Sequence, residues 1–329
     1  MPRAPHNSFA NLVLEETMVL ARDPGVRIYV RNKYRTDLTA FSPERTVVFV
    51  HGATYPAETA FDLPLDGMSW MDYIADRGFD VYLLDVRGYG KSTRPSAMDE
   101  PADKNPPVVR TDAAVRDVAA VVDYVLARRQ IERVNLIGWS WGTTIMASYA
   151  AANAAKVNRL VLYAPGWMRT TPSLVQVEGP LGAYRIVTRE AALARWMTGV
   201  PEDKKQGLIP AGWFERWADA TFASDPEGAR RTPPVLRAPN GVMLDGQEYW
   251  MKGRALYDPA GLTMPVMLIL AEWDRDTPPY MAHALFPLIV NAPWKRCVMI
   301  GEGTHSVVME KNRLQLFREV QFFLEQTPQ

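Results

Sequence analysis

Apolar residues in this chain fall into short continuous runs separated by longer amphipathic stretches. Thr46 to Val50, Val81 to Leu84, Val134 to Ile137, Arg159 to Tyr163 and Val266 to Leu270 are the clearest runs. Such runs, bounded by turn formers, are the pattern of strands buried on both faces. Helical spacing fills the intervals. The strongest example is Thr111 to Arg129, where Val115, Val118, Ala119, Val122 and Leu126 recur on one face and Arg128-Arg129 suit the C-terminal end. Ser69 to Arg77 puts Trp70, Tyr73 and Ile74 on one face and stops at Gly78. Further helices are expected over Thr143 to Ala155, Tyr280 to Leu285 and Glu310 to Glu325, and a strand over Arg296 to Ile300. Glu16 to Ala21 and Val26 to Arg31 flank the turn signal Asp23-Pro24-Gly25 and read as an opening hairpin. Ser96 to Pro107, rich in proline and charge, reads as an exposed loop.

The alternation stops between Gly166 and Ala255. Proline and glycine breaks, short amphipathic pieces and half of the ten tryptophans (Trp167, Trp196, Trp213, Trp217 and Trp250) fill that segment. Buried strands alternating with helices predict an α/β fold: a mostly parallel central sheet with helices on both faces and an antiparallel N-terminal hairpin. Residues 1–165 and 256–329 form the expected core. Residues 166–255 read as an inserted, largely helical cap over the carboxyl ends of the strands, where such sheets keep their sites.

Composition narrows the function classes. Lys plus Arg and Asp plus Glu both number 37 in the 329 residues, so the formal charge is zero and favours neither nucleic acid nor an anionic membrane as partner. No uncharged apolar run approaches the ~18 residues of a membrane span. Met1 to Ala10 is polar and Pro-rich without an apolar core, so no secretory signal is expected and a cytoplasmic location is the default. The single cysteine, Cys297, sits in an apolar run and is expected to be a buried small hydrophobe. The four histidines make no metal-ligand cluster with cysteine or carboxylates.

The chemistry centres on Gly138-Trp139-Ser140-Trp141-Gly142, between a predicted strand and a predicted helix. Strand, sharp turn and helix are the context of a nucleophile elbow, in which glycines permit the turn and the serine stands above the sheet. The pentapeptide alone is weak, since average usage produces one by chance in roughly one such chain in ten. Later residues strengthen it. A predicted strand leads to Asp274, and another leads through Gly301-Glu302-Gly303-Thr304 to His305. The order Ser, Asp, His suits this scaffold. A serine hydroxyl needs a base, imidazole titrates in the useful range, and the imidazole needs a carboxylate to fix its tautomer. Asp276 and Glu272 compete with Asp274 for that last role.

An oxyanion hole needs two backbone N–H groups. Trp141, after the nucleophile, should supply one, and Ala53, in the loop after the 46–50 strand, the other. His51 is expected to hydrogen-bond that loop. Asp85 to Ser92 carries glycines and Lys91 but lacks the spacing of a phosphate loop, so Asp85 and Arg87 read as buried structural groups.

His51-Gly52, Asp85-x-Arg87-Gly88-x-Gly90-x-Ser92, the Ser140 elbow, the Asp274 loop and Gly303-x-His305 together resemble the α/β-hydrolase superfamily, in its serine-nucleophile branch with an inserted cap. The resemblance covers residues 46–305. It implies a sheet of about eight strands, acyl-enzyme chemistry, a small-molecule substrate and no cofactor. Ala271 departs from the glycine common before the acid loop. Ser140 argues against the aspartate-nucleophile relatives, since a serine cannot form their ester intermediate.

Tyr55, Trp139, Trp167 and Trp213 are candidates for the pocket, although Trp139 reads equally as packing inward and cap tryptophans also supply a small core of their own. The expected activity is hydrolysis of a carboxylic ester with a small, apolar or aromatic group. The same triad could instead act on a C–C bond of a diketone, a lactone or an amide. A C–C hydrolase would want an arginine near the site, and the cap offers Arg169, Arg185, Arg195 and Arg237. A non-catalytic binding module on this scaffold is the remaining alternative. Monomer and homo-oligomer are both open.

Overall fold

The structure is a computed structural model and describes residues 9, 11–175 and 179–326. The polar opening Met1 to Ala10 therefore lies, Phe9 apart, outside the described residues. The chain opens with β1 (Leu12–Leu20) and β2 (Arg27–Arg35), paired antiparallel from Leu12 opposite Arg35 to Leu20 opposite Arg27. This is the expected hairpin, with longer arms. β3 (Thr46–Val50) follows, buried at every position, then the short helices α1 (Ala57–Phe61) and α2 (Trp70–Ala75). Ser69 and Asp72 form a reciprocal capping box at the start of α2. β4 (Asp80–Leu84), α3 (Thr111–Arg129), β5 (Val134–Trp139), α4 (Trp141–Ala152) and β6 (Val157–Tyr163) complete the first part of the core.

Helix α3 keeps its expected bounds. Its inward face is centred on Ala114, Val118, Val121, Val122 and Val125, with Val115 and Leu126 only partly buried. Asp117 joins that face because Arg87 binds its carboxylate, with Nη2 to Oδ1 at 2.5 Å. The helix has no side-chain cap of its own. Asp245, far along the sequence, accepts from the Thr111 N–H at 2.7 Å and from Arg110 Nε at 2.7 Å.

Residues 166–255 carry β7 (Tyr184–Val187), α5 (Arg189–Trp196), α6 (Trp213–Ala223), α7 (Pro226–Ala229), β8 (Leu236–Pro239) and α8 (Gly241–Glu248). The two strands pair antiparallel as a separate small sheet, from Tyr184 opposite Pro239 to Val187 opposite Leu236. Four residues each, they are too short to leave a periodic signal, and they add a small sheet to a segment whose other elements are helical. Trp196, Trp217 and Phe222 are buried together, with Trp196 and Trp217 edge to face at 5.2 Å.

The chain then returns through β9 (Val266–Ala271), α9 (Pro279–Leu285), β10 (Lys295–Ile300) and α10 (Arg313–Glu325). The main sheet has eight strands in the order β1-β2-β4-β3-β5-β6-β9-β10. β2 runs antiparallel to both β1 and β4, and every neighbouring pair from β4 to β10 is parallel. Two apolar cores cover it. One includes α3, α4 and α9, and the other α1, α2 and α10.

One expectation fails here. Cys297 is exposed. β10 is the edge strand, and alternate residues Cys297 and Met299 point to solvent, so its apolar composition reflects a strand covered on one face only.

Candidate active site

β5 delivers Ser140 to the top of the sheet and α4 starts at the next residue. Ser140 has φ 59° and ψ −121°, a backbone conformation that L residues seldom adopt. The flanking glycines make it attainable. A Cβ on Gly138 would lie 2.3 Å from the Gly142 carbonyl oxygen, and one on Gly142 would lie 2.6 Å from the carbonyl oxygens of His51 and Val50. Ser140 N–H donates to the Tyr163 carbonyl at 2.9 Å, and Thr143 returns both its N–H and its hydroxyl to the Ser140 carbonyl. The elbow is thus held from both sides.

Two loops at the same end of the sheet bring in Asp274 and His305. Asp274 Oδ2 lies 2.7 Å from His305 Nδ1. The carboxylate is fully buried and also accepts from the N–H of Thr277 at 2.8 Å and its hydroxyl at 2.9 Å. Its competitors are engaged elsewhere: Glu272 accepts from the Glu302 N–H, and Asp276 forms an ion pair with Arg195 at 2.8 Å. Ala271 is fully buried, beside Gly303. The His305 backbone is fixed through its carbonyl, which accepts from Trp139 Nε1 at 3.1 Å and Tyr163 Oη at 2.7 Å.

Burial disfavours the charged imidazole of His305, but the carboxylates of Asp274 and Asp276 outweigh it and hold the pKa above its ordinary value. Ser140 and His305 line the same small cavity. Their side chains share no hydrogen bond among the described residues.

The loop after β3 lies against Ser140. A Cβ on Gly52 would come within 3.0 Å of Ser140 Cβ. Neither Ala53 nor Trp141 donates its N–H to another group among the described residues. His51 is buried, with Nδ1 2.7 Å from the Gly52 carbonyl and Nε2 accepting from the Val86 N–H at 3.0 Å. Burial pulls its pKa down to about 4, so it is a neutral strut. Asp85 accepts the N–H groups of Ala57 and Lys91.

Sequence reasoning missed the partner that holds this loop. Arg185, on β7, donates Nη2 to the Ala53 carbonyl at 2.7 Å and to Thr54 Oγ1 at 2.8 Å, and Nη1 to the Pro239 carbonyl at 2.8 Å. Tyr89 Oη adds a 2.9 Å bond to the same Ala53 carbonyl. Burial without a carboxylate partner pulls the Arg185 pKa down to about 10. Thr277 was also missed, although an Asp followed at three residues by Thr is a turn in which the carboxylate accepts from backbone.

Two cavities open on Ser140. The smaller, about 20 Å³, is bordered by Tyr55, Trp139, Trp196, Asp276 and His305 among others. The larger, about 410 Å³, is bordered by Trp141, Trp167, Arg169, Arg185, Val242 and Trp250 among others. Tyr55, Trp139 and Trp167 thus reach a cavity wall. Trp139 also packs inward, stacked on Tyr163 at 5.8 Å between centroids. Trp213 borders neither cavity: it begins α6 with the Arg313 guanidinium 4.4 Å above its ring, and it packs toward α10. Of the four arginines considered, Arg169, Arg185 and Arg195 border the larger cavity, while Arg237 is committed to Asp225 at 2.7 Å. Among the described residues, no group of three or more His, Cys, Asp or Glu side chains is arranged to hold a metal ion, and no helix is long and apolar enough to cross a membrane.

Comparison with known proteins agrees with this architecture. A family model described as "alpha/beta hydrolase fold" matches residues 45–312. No curated protein matches the chain in sequence. Among solved structures, a serine hydrolase involved in carbazole degradation superposes with TM-score 0.63 at 17% identity, covering 95% of this chain and 99% of that one. An esterase from Thermogutta terrifontis gives TM-score 0.57 at 17% identity, covering 94% and 98%. The 2-hydroxy-6-oxo-6-phenylhexa-2,4-dienoate hydrolase of Rhodococcus sp. strain RHA1 gives TM-score 0.61 at 15% identity, covering 94% and 99%. At such identities the likeness is one of fold.

Proposed function

The chain belongs to the α/β-hydrolase family, and from that premise we propose that it is a serine hydrolase cleaving a carboxylic ester of a small, largely apolar or aromatic substrate. The observation that carries this reading is the 2.7 Å Asp274–His305 bond beside a cavity that also contains Ser140 on its strained elbow. His305 Nε2 takes the Ser140 proton as Oγ attacks the ester carbonyl. The N–H groups of Ala53 and Trp141 hold the oxyanion, with an effect of about 3–4 kcal/mol per donor. His305 then protonates the leaving alcohol and activates water to release the acid. Asp274 keeps the imidazole in the tautomer with Nδ1 protonated and stabilises its charged form. No cofactor enters this scheme.

In this reading residues 166–255 act as a cap that selects substrate, on a core of 1–165 and 256–329. The enzyme works in the cytoplasm on a small molecule, with no nucleic-acid or membrane partner. Turnover of p-nitrophenyl esters of graded chain length, with Ser140→Ala as control, tests the proposal. Equal turnover by the variant would sink it, and so would failure of a fluorophosphonate to label Ser140, which would favour a binding module.

A second reading, a C–C hydrolase of diketo acids, is favoured by one observation. Arg169 borders the larger cavity, spends Nη1 and Nη2 on the carbonyls of Pro172 and Asp276, and keeps Nε without a partner among the described residues. Arg185, on the same cavity, likewise keeps Nε without a partner among the described residues, while Arg195 is committed to Asp276. Cleavage of a vinylogous diketo acid without ester turnover would select this alternative. Lactones and amides are reached by the same acyl transfer.

A further inference from the structure

The two cavities at Ser140 differ about twentyfold in volume, about 20 against about 410 Å³. Ala53, Ser140, Arg195 and Asp276 border both. His305 borders only the smaller, and Trp141 only the larger. This division has a chemical meaning. The imidazole that takes the serine proton must pass it to the departing alkoxide, so the leaving group lies on the His305 side. The acyl chain, with the oxyanion held by the Ala53 and Trp141 N–H groups, points the other way.

The smaller cavity is also stiff. Trp139 is fixed by its stack on Tyr163 and its 3.1 Å bond to the His305 carbonyl. Trp196 Nε1 donates to buried Glu310 at 2.8 Å, and Ala192 beside it is buried. Room of this size holds about one water-sized group. The larger cavity has apolar walls in Trp141, Trp167, Val242, Trp250 and Met281, polar ones in Arg169, Arg185 and Gln247, and the volume for a bicyclic aromatic body.

We infer that the substrate is an ester of a bulky apolar acid with a one-carbon alcohol. The acyl group fills the larger cavity and the alkoxy group sits against His305. This assignment rests on the serine-hydrolase reading above. In the first half-reaction the Ser140 Oγ–acyl bond forms, the acyl C–O bond to the alcohol breaks, and the serine proton leaves with the alcohol by way of His305. In the second, water adds to the acyl carbon, His305 takes its proton, the Oγ–acyl bond breaks, and the proton returns to Ser140.

Two isomeric esters with leaving alcohols of similar acidity test the assignment: methyl 1-naphthylacetate and 1-naphthylmethyl acetate. The expected result is a kcat/KM at least tenfold higher for the methyl ester. Trp196→Ala, which opens the small side, should narrow that ratio, and Val242→Trp, which fills the large side, should reverse it. Equal turnover of the isomers, or preference for the acetate, overturns the assignment and leaves the hydrolase reading intact. No turnover of either by an enzyme whose Ser140 is labelled by a fluorophosphonate also overturns the assignment alone. No turnover together with no labelling removes both.

Discussion

Arg185 donates to the carbonyl of Ala53, 132 positions earlier in the chain, at 2.7 Å. The bond joins a strand of the 166–255 segment to the loop expected to hold the oxyanion. The guanidinium is buried and has no carboxylate partner among the described residues, so its charge stays close to the place where negative charge would develop.

Arg185→Gln should therefore lower kcat on a p-nitrophenyl ester by roughly tenfold to a hundredfold, less than the roughly hundredfold to thousandfold that loss of an oxyanion-hole donor itself costs. KM should change less, and Arg185→Lys should recover part of kcat. A change in KM alone would assign Arg185 to substrate binding instead.

The pH profile follows from His305. In the proposed mechanism the base must be neutral, so activity rises with pH through its pKa, which the carboxylates of Asp274 and Asp276 hold above the ordinary 6.5 against the opposing effect of burial. The acid limb of kcat/KM should lie above that value. Asp276→Asn removes one raising charge and leaves the Arg195 cation uncompensated, so the limb should move to lower pH. An unmoved limb would mean that another group sets it.

Gly142→Ala should destabilise the protein by about 2–4 kcal/mol, because the new Cβ meets two backbone carbonyls, which cannot turn aside as a side chain would. Thermal unfolding measures the loss. Gly246→Ala is the control, since its nearest neighbour is a Trp250 ring carbon at 3.5 Å.

Glu310 accepts from Trp196 Nε1 and the Thr304 N–H, and burial pushes its pKa up to about 7. The unfolded chain returns it to 4.5. Folding therefore favours the protonated acid. Its contribution is complete below pH 4.5 and is lost as pH rises through about 7, by an amount on the order of 3 kcal/mol. Denaturant unfolding of Glu310→Gln should show a flatter dependence on pH over that interval, and identical curves for the two proteins would contradict it.

Much of this was legible in the sequence because it depends on local pattern. Buried strands announce themselves by continuous apolar runs, and β3, β5 and β9 are buried at every position as expected. Ser140, Asp274 and His305 each follow a strand, so chain order alone brought them to one end of the sheet. Side-chain direction was harder. Trp139 both packs inward and borders a cavity, while Trp213 faces Arg313, a pairing that depends on where α10 lies. Cys297 was misread because an edge strand and a central strand share a composition. The Arg185–Ala53 bond has no local signature: it depends on β7, which pairs with β8 about fifty residues later, and nothing near Tyr184 foretells that pairing.

That same bond limits how freely the molecule can be re-engineered. Exchanging residues 166–255 for another segment would change the cavity walls and, at the same stroke, remove the guanidinium that braces Ala53. A chimera could then receive a new substrate in good order and still turn it over slowly. Retaining an arginine at the Arg185 position is the condition under which selectivity and reactivity can be altered one at a time.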